Sequence, residues 1–346
     1  MTGVQRTTVG DDANGKRLDR WIRAKFPHLG QSKIEKYCRK GEIRVNGKRV
    51  KASDRLIPGQ SIRLPPLPDP EARPAPSAGS QYRVSAADAE FMRAAVIYMD
   101  NDFLAINKPP GTPVQGGTGQ HRHVDAFASA LRFGKSESPR LVHRLDKDTS
   151  GVLVLARSEK AAREITKIFR NKEIQKQYLA VVVGVPRPFE GTIKLALAPS
   201  SARGTDRMQC IEPSSAVREP GAKSACTGYR VIERVGKRAS LVELTPVTGR
   251  KHQIRAHMAA IGHPIIGDGK YGRGLRELSN IGKLSVLGGG FSAKLHLHAR
   301  SIAFENPFTG RDVRIIAPLP THFSRTVSGL GWECDTAEIR DLPAGE

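Results

Sequence analysis

The sequence predicts an α+β protein in which a small N-terminal α/β domain precedes a main domain built on a largely antiparallel sheet. Lysine and arginine are concentrated before residue 64, whereas short apolar runs of strand length outnumber helical patterns after residue 84. Six prolines between Pro65 and Pro76 predict a semi-rigid tether between the two domains. The expected divisions are a basic domain at 1–64 with its core at 17–64, a linker at 65–83, the main domain at 84–330 and an acidic tail at 331–346.

Two helices and a hairpin are expected in the basic domain. Apolar residues recur at helical spacing from Leu18 to Phe26, which predicts the first helix. A second helix is expected to be capped by Ser32, which forms a capping-box pattern with Glu35, and to end at Gly41. The strands EIRV and KRV then flank an Asn-Gly pair, the dipeptide best suited to a type I′ turn.

The basic domain carries half of the chain's formal charge. Between Lys16 and Arg63, fifteen Lys or Arg side chains oppose four Asp or Glu, a net +11 out of the chain's +22. Such density on a small folded unit indicates contact with phosphates rather than a merely solvated face. The candidate contact residues on the second helix and after it are Lys33, Lys36, Arg39, Lys40 and Arg44.

The main domain begins with two strand-like runs, AAVIYMD and FLAINK, separated by a turn at Asn101–Asp102. The apolar runs PRLV and VLVLA then flank the polar nonapeptide HRLDKDTSG, residues 143–151, which is therefore expected to be a loop between strands. A helix is expected over Glu159–Asn171, with Ser158 as its cap.

The second half of the main domain alternates further strands with one helix. Lys251–Ile261 has a single apolar face and is followed by a glycine, which predicts a helix. Ser200–Lys223 is polar and is expected to be a loop, and a last hairpin is expected around Asn306–Gly310. The segments expected to form the intervening strands are 177–183, 229–233 and 240–247.

Asp146, in the middle of the nonapeptide, is the first candidate catalytic residue. Catalytic residues often lie in loops that rigid strands hold in position. His143, Arg144 and Lys147 stand beside it in sequence, and positive charge favours the ionised carboxylate, which can act as a nucleophile. A structural turn with a solvated ion pair is the alternative interpretation of this aspartate taken alone.

The nonapeptide resembles the signature of the pseudouridine synthases that act on large-subunit ribosomal RNA. Four further segments follow that family's order and approximate spacing, and five ordered blocks are far more specific than one. The basic domain similarly resembles the RNA-binding module named after ribosomal protein S-four. The further matching segments are Asn107–Gly119, Lys176–Gly184, Pro246–Gly272 and Leu295–Ala299.

This resemblance implies a mixed-sheet catalytic domain and specific roles for single residues. Asp146 would be the catalytic carboxylate, either adding to the sugar or removing its 2′ proton, and the sequence leaves both routes open. Tyr178 would stack on the uracil, with a possible part in proton transfer, and Arg255 would pair with the carboxylate. Arg144 would take the place of the extruded base, and Leu295 would line the uracil pocket. The lysines expected to position phosphates are Lys108, Lys147 and Lys251.

Composition narrows the partners and the compartment. A pI near 10.2 favours a polyanion as partner. Nucleic acid is favoured over membrane because no apolar run approaches the ~18 residues that span a bilayer. Without an apolar signal core near its start, the protein is expected in the cytoplasm. The four cysteines are isolated, which predicts reduced thiols. No cofactor is expected, and no metal, because His252 with His257 and His296 with His298 lack the spacing of a metal site.

Three other functions remain open from the sequence. A glycoside or nucleoside hydrolase could use Asp146 with Asp148 as a carboxylate pair, although their spacing tends to point them apart. A binding-only ribosome-assembly factor would need the basic domain alone. Within the synthase interpretation, transfer RNA is the alternative substrate to large-subunit ribosomal RNA. A monomer is expected by resemblance.

Overall fold

The computed structural model describes residues 3–67, 84–117, 120–200, 206–272 and 292–333. The chain divides into two compact units, Met1–Arg83 and Val84–Glu346. Most of the expected linker at 65–83 and of the expected tail at 331–346 lies outside the described residues.

The N-terminal unit packs two helices against a four-stranded antiparallel sheet in the order β1-β4-β2-β3. Its core holds Trp21, Ile34 and Leu64 and extends back to Val9, before the expected core at 17–64. Its elements are β1 (Gln5–Thr8), α1 (Leu18–Lys25), α2 (Gln31–Lys40), β2 (Arg44–Val45), β3 (Lys48–Arg49) and β4 (Ser61–Leu64).

Local sequence predicts this unit well, with two exceptions. Asn46 and Gly47 have φ values of 48° and 76°, which confirms the type I′ turn. The capping-box prediction is wrong, because α2 begins earlier, after Gly30, and leaves Ser32 inside the helix. Strand β1 was not predicted, since the polar sequence QRTT gives an edge strand no apolar signature.

The second unit is built on an eleven-stranded sheet whose main path runs β11-β10-β12-β13-β9-β14-β8-β6-β5, with β15 beside β14 and β7 beside β8. Among the described strands every pair is antiparallel except β14 with β8, which confirms the largely antiparallel mixed sheet. The strands are β5 (Val96–Met99), β6 (Phe103–Lys108), β7 (Arg140–Leu141), β8 (Ser150–Ala156), β9 (Gln175–Val183), β10 (Glu190–Pro199), β11 (Met208–Ile211), β12 (Lys223–Val235), β13 (Ala239–Pro246), β14 (Leu297–Glu305) and β15 (Asp312–Ile316).

Helices pack on this sheet and fill its core. The helix predicted over Glu159–Asn171 has those bounds, and the Ser158 hydroxyl accepts a hydrogen bond from the backbone N–H of Ala161. Trp332 is buried beside Phe323 in one of the apolar clusters of this unit. The helices are α3 (Ala86–Ala94), α4 (Val124–Phe127), α5 (Glu159–Asn171), α6 (Pro213–Ala216), α7 (Gln253–Ala260) and α8 (Thr321–Gly329).

The loop predicted over Ser200–Lys223 is wrong in part. Residues 201–205 lie outside the description, but β11 and α6 follow them, and β12 begins at Lys223, six residues before the predicted start of that strand. Strand β10 was not predicted either. Its sequence EGTIKLALAP mixes polar and apolar residues because only part of its length faces a packed layer.

Candidate active site

Asp146 lies in the loop between β7 and β8, as predicted. Its side chain is 26% exposed, so the carboxylate is reachable from solvent and yet mostly enclosed. The backbone N–H of Thr149 donates to the carbonyl oxygen of Asp146 at 3.2 Å, which closes a turn around the carboxylate. This turn presents the half-buried Asp146 carboxylate just before the buried strand β8.

Gly151 brings this loop close to the neighbouring strands. In the parallel pairing of β8 with β14 it lies opposite Ala299, and Ala299 pairs on its other side with Tyr178 of β9. The φ of Gly151 is +111°, and a Cβ atom there would lie 2.1 Å from the carbonyl oxygen of Ala299. Only glycine allows the strands to approach this closely.

Arg255 of α7 joins the candidate catalytic carboxylate to a second, buried carboxylate. One Nη atom lies 3.5 Å from Oδ2 of Asp146. The Nε atom and the other Nη atom donate to the two oxygens of Asp268 at 2.8 and 2.7 Å. This bidentate pair fixes the plane of the guanidinium and therefore the nitrogen that faces Asp146.

Asp268 is held in place by its own backbone neighbours. It is 5% exposed, and the backbone N–H groups of Lys270 and Tyr271 donate to one of its oxygens at 2.9 and 3.0 Å. Burial opposes its ionisation, but the hydrogen bonds and charge of Arg255 outweigh burial and hold the pKa of this carboxyl below its ordinary value. Asp268 therefore stays charged beside Arg255.

His252 forms a second contact to the candidate catalytic carboxylate. Its Nε2 lies 3.9 Å from Oδ2 of Asp146, and its Nδ1 lies 3.0 Å from the hydroxyl of Tyr271. The backbone N–H of Met208 donates to that hydroxyl at 2.7 Å. Burial lowers the pKa of His252, and its backbone has the uncommon left-handed φ of 54°. An uncommon backbone conformation next to a reactive group is typical of functional sites.

Leu295 belongs to an apolar cluster with Ile254 and Met258 of α7, and the partly buried Tyr178 packs against this cluster. Burial, and after it the charge of Asp146, raises the pKa of the Tyr178 hydroxyl well above its ordinary value. Tyr178 is therefore a protonated phenol at neutral pH.

The other residues of the nonapeptide differ in their surroundings. Arg144 and Lys147 are exposed, and no hydrogen bond or ion pair of their side chains is found within the described ranges.

His143 is not a cation, contrary to the prediction. Its ring stacks on Phe169 with centroids 4.6 Å apart and accepts a hydrogen bond from the backbone of Val154, and burial lowers its pKa to about 3.

The predicted phosphate contact of Lys108 is wrong. This side chain is fully buried, and its ammonium donates to the carbonyl oxygens of Pro109, Thr112 and Lys147 at 2.9 to 3.0 Å. Burial lowers its pKa to about 7, while the charges of Asp148 and Asp146 oppose that shift. The Lys108 ammonium instead connects residues 109–112 to the loop of Asp146 through these hydrogen bonds.

The remaining candidate phosphate contacts lie on the surface. Lys251 is 44% exposed and forms an ion pair with Asp206, so a phosphate would have to compete with that carboxylate. In the N-terminal unit, the exposed guanidinium of Arg44 donates to the backbone carbonyls of Gly41 and Gly47. These hydrogen bonds restrict its side chain. Lys36, Arg39 and Lys40 are exposed on α2, and Lys33, on the same helix, is partly buried.

The histidines considered as metal ligands have other partners. His257 contacts the Thr227 hydroxyl, His298 contacts that of Ser150, and His296 contacts that of Thr326. In the described part of the chain, no three His, Cys, Asp or Glu side chains lie close enough together to hold a metal ion. Cys38, Cys210 and Cys226 are free thiols, and Cys334 lies outside the described residues.

Sequence reasoning missed Asp268 and Tyr271 and treated His252 as structural. All three lie in the matched segment Pro246–Gly272, so the segment was found but these roles within it were not. A usable signal was present: Asp268 directly follows the apolar run PII and a glycine, a setting in which a carboxylate is seldom left without a partner.

The Asp146 carboxylate in the β7–β8 loop, Arg255 on α7 and the partly buried Tyr178 on β9 lie near one another on this largely antiparallel mixed sheet. The chain belongs to the RNA pseudouridine synthase family. The family model described as RNA pseudouridylate synthase matches residues 102–260, and the model of the S4 domain matches residues 16–62.

Relatives of this chain match over nearly its whole length. It is 34% identical to ribosomal large subunit pseudouridine synthase C of Vibrio cholerae, over 95% of this chain and 98% of the relative. It is 36% identical to the protein of the same name from Escherichia coli K12, over 94% and 97%. Among solved structures, human RNA pseudouridylate synthase domain containing 4 has a TM-score of 0.57 at 31% identity, covering 71% of this chain and 96% of that one.

The chain is therefore an RNA pseudouridine synthase with an N-terminal S4 domain. Within the described ranges, no helix is both long and apolar enough to cross a lipid bilayer.

Proposed function

We propose that this enzyme converts specific uridines of large-subunit ribosomal RNA to pseudouridine, with Asp146 as its catalytic carboxylate. The observation that carries the assignment of the site is the 3.5 Å contact of Asp146 with an arginine held by the buried Asp268. The names of the relatives, which are 34–36% identical over nearly the whole chain, support the ribosomal substrate.

The reaction is an isomerisation, so no external reagent enters. The bond between the sugar C1′ and uracil N1 breaks, the base turns, and a bond between C1′ and uracil C5 forms. The proton on C5 is lost and N1 gains one, so the atoms balance. Asp146 either bonds to C1′ through one oxygen or removes the 2′ proton to give a glycal, and both routes require an ionised carboxylate beside the sugar.

Arg255 supports that ionised state by holding a positive charge 3.5 Å from the Asp146 carboxylate. Asp268 orients the Arg255 side chain, because its two oxygens accept hydrogen bonds from the other edge of the guanidinium. His252 is the candidate proton acceptor, because a neutral imidazole nitrogen faces Asp146 while Tyr271 holds its other nitrogen.

Tyr178 and Leu295 form the proposed wall against the uracil. Leu295 belongs to the apolar cluster that Tyr178 packs against, and a ring face suits stacking on a planar base. Because burial and the charge of Asp146 raise the pKa of Tyr178, its hydroxyl is protonated at neutral pH and would take part in proton transfer as a donor.

A target base within folded RNA must first leave its stack, at a cost of a few kcal/mol. Arg144 is the proposed replacement for the extruded base, because its guanidinium is exposed two residues from Asp146 and is planar. Lys147, Lys251 and the N-terminal cations Lys33, Lys36, Arg39, Lys40 and Arg44 are the proposed phosphate contacts, which position RNA without specifying its sequence.

The wider organisation belongs to the same proposal. Residues 1–64 form the RNA-binding domain, 65–83 a linker and 84–330 the catalytic domain, followed by a tail at 331–346. The enzyme acts as a monomer in the cytoplasm, where ribosomal RNA is its partner.

The test is carbodiimide-based mapping of pseudouridine in total RNA from cells that lack the protein. We expect sites in large-subunit ribosomal RNA to vanish and to return with the wild-type gene but not with Asp146→Asn. Asp148→Asn is the matched control, since it changes a carboxylate two residues away, and it should restore the sites. Sites lost only from transfer RNA would replace the ribosomal substrate with the alternative, and restoration by Asp146→Asn would refute the assignment of Asp146.

A further inference from the structure

Two exposed arginines contact an exposed aromatic ring at one end of the catalytic sheet. Phe189, in the turn between β9 and β10, is 39% exposed. The guanidinium carbon of Arg187 lies 3.8 Å from the centroid of this ring, and that of Arg234 on β12 lies 5.0 Å from it. One arginine from this turn and one from β12 thus contact the same surface phenylalanine.

The backbone holds this ring in a fixed position. The backbone N–H of Val231 donates to the carbonyl oxygen of Phe189 at 2.7 Å. The hydroxyl of Tyr229, which is itself buried, donates to the carbonyl oxygen of Pro188 at 3.2 Å. These hydrogen bonds hold the turn against β12, so the backbone that carries the ring is fixed.

Two more exposed cations follow Arg234 along the chain, in the next turn. Lys237 and Arg238 are exposed in the turn between β12 and β13, and the backbone N–H of Gly184 donates to the carbonyl oxygen of Arg238 at 2.7 Å, which brings this turn beside the end of β9. Within the described ranges, no ion pair occupies any of the four cations. We call Arg187, Phe189, Arg234, Lys237 and Arg238 the arginine patch.

The chemistry of the patch matches a phosphate. A guanidinium stacked on a ring keeps its N–H donors free around its edge, and these suit the paired oxygens of a phosphodiester. Stacking also restricts the side chain before a ligand arrives, so less conformational freedom is lost on binding. Glu190 and Glu233 are the sequence neighbours of Phe189 and Arg234. When these two carboxylates are counted with the four cations of the patch, the net charge is +2.

The patch is separate from the candidate active site. Gly184, whose backbone contacts Arg238, lies six residues beyond Tyr178 in the direction of β9, which corresponds to roughly 20 Å at the rise of a strand. A nucleotide at Asp146 cannot reach that far. An RNA that places one uridine at Asp146 extends beyond it in both directions, so other nucleotides of the same molecule can.

We propose that the arginine patch binds the phosphate backbone of the substrate RNA, roughly 20 Å from the target uridine. This rests on the assignment of the chain as an RNA pseudouridine synthase and not on which RNA it modifies. The patch adds a contact surface on the catalytic unit to that of the N-terminal domain, and it recognises phosphates and not bases.

The test measures how the affinity of the full chain for an oligouridylate changes with salt concentration. Each phosphate contact to a single strand contributes about 0.7 to the slope of log affinity against log salt, so Arg187→Gln with Arg234→Gln should lower that slope by about 1.4. The matched control is Arg311→Gln with Arg314→Gln, two exposed arginines of the last hairpin, which should leave the slope unaltered. An unaltered slope in the patch variant, or an equal fall in both, overturns the proposal.

A second variant distinguishes a phosphate site that depends on the Phe189 ring from attraction of RNA by positive charge alone. Phe189→Leu keeps every charge and removes the ring, so it should weaken binding several-fold if the stacked arginines form a site. Affinity equal to that of the parent would mean that the ring contributes nothing to binding, and this would overturn the stacking arrangement.

Steady-state kinetics on unmodified ribosomal RNA transcripts give a third measurement. The double arginine variant should raise KM and leave kcat unchanged, whereas loss of kcat would place its effect in the active site and contradict the proposal. The oligouridylate result stands even if ribosomal RNA proves not to be the substrate.

Discussion

At the scale of single residues, the arginine that contacts Asp146 is itself held by a more deeply buried carboxylate. Arg255 and Asp268 are 4% and 5% exposed, so neither can exchange its partner for water. Among the described residues, by contrast, the Asp146 carboxylate makes only long contacts, at 3.5 Å to Arg255 and 3.9 Å to His252. The supporting pair is thus tight, while the proposed reacting carboxylate remains free to move toward a substrate.

We expect Asp268→Asn to lower kcat about 100-fold, because a displacement of about 1 Å at a catalytic group has effects of this size. It should also lower the free energy of unfolding by about 3 kcal/mol, since Arg255 would be left buried without its partner. Steady-state kinetics and urea unfolding measure the two effects.

The matched control for that variant is Asp312→Asn, which neutralises an exposed carboxylate in the last hairpin and should change neither quantity. Wild-type kcat in Asp268→Asn would mean that Arg255 does not need this partner for catalysis. A kcat that recovers fully when the variant is stabilised by cooling would attribute the loss to folding alone.

Sequence reasoning brought Asp146, Tyr178 and Arg255 together because each lies in its own ordered motif. It could not supply the contacts among them, because the ion pair of Arg255 with Asp146 joins positions 109 residues apart. It also assigned a surface role to Lys108, which is fully buried. A lysine's position in a polar motif does not indicate whether its ammonium faces solvent or three carbonyl oxygens.

At the scale of elements, the parallel contact of β8 with β14 positions the loop of Asp146. This contact depends on Gly151, where a side chain would overlap the backbone of Ala299. Predicted elements with strong local signals, such as α5 with its Ser158 cap, have the expected bounds. Elements such as β1 and β10 were missed because their stability comes from pairing with distant strands, which local sequence does not record.

We expect Gly151→Ala to lower the free energy of unfolding by more than about 3 kcal/mol, because the strands must separate and the backbone there is strained for any L side chain. Activity should fall in the same variant, since the loop of Asp146 would be displaced. Urea unfolding and turnover on an RNA transcript measure these changes.

Gly329→Ala is the control for that substitution. Gly329 ends α8, no other atoms lie near its added Cβ, and the change should alter stability by less than about 0.5 kcal/mol. If Gly151→Ala behaved like Gly329→Ala, the close approach of β8 and β14 would be unnecessary for the fold.

At the scale of the whole molecule, the catalytic unit contains histidines that must stay neutral. Burial lowers the pKa of His296 and of His298 to about 4 and that of His143 to about 3. In the unfolded chain these groups titrate near 6.5. Between pH 6.5 and about 4 the unfolded state therefore binds more protons than the folded state, and stability falls as the pH is lowered through this window.

We expect the free energy of unfolding to fall by up to about 1.4 kcal/mol per pH unit for each such histidine between pH 6 and pH 4.5. His298→Asn should reduce this slope, because one proton-linked group is removed. His121→Asn, at an exposed position, should not. Urea unfolding followed by circular dichroism at several pH values measures the slope, and a stability independent of pH in this range would contradict the prediction.

The two tryptophans of the chain are divided between the units, Trp21 in the core of the N-terminal unit and Trp332 in an apolar cluster of the catalytic unit. Both indoles are buried, so each shifts its fluorescence emission when its own core opens to water. Replacing either one by phenylalanine leaves a single emitter. The native sequence thus carries one intrinsic optical reporter for each unit, and RNA-induced changes in either unit can be followed without an attached dye.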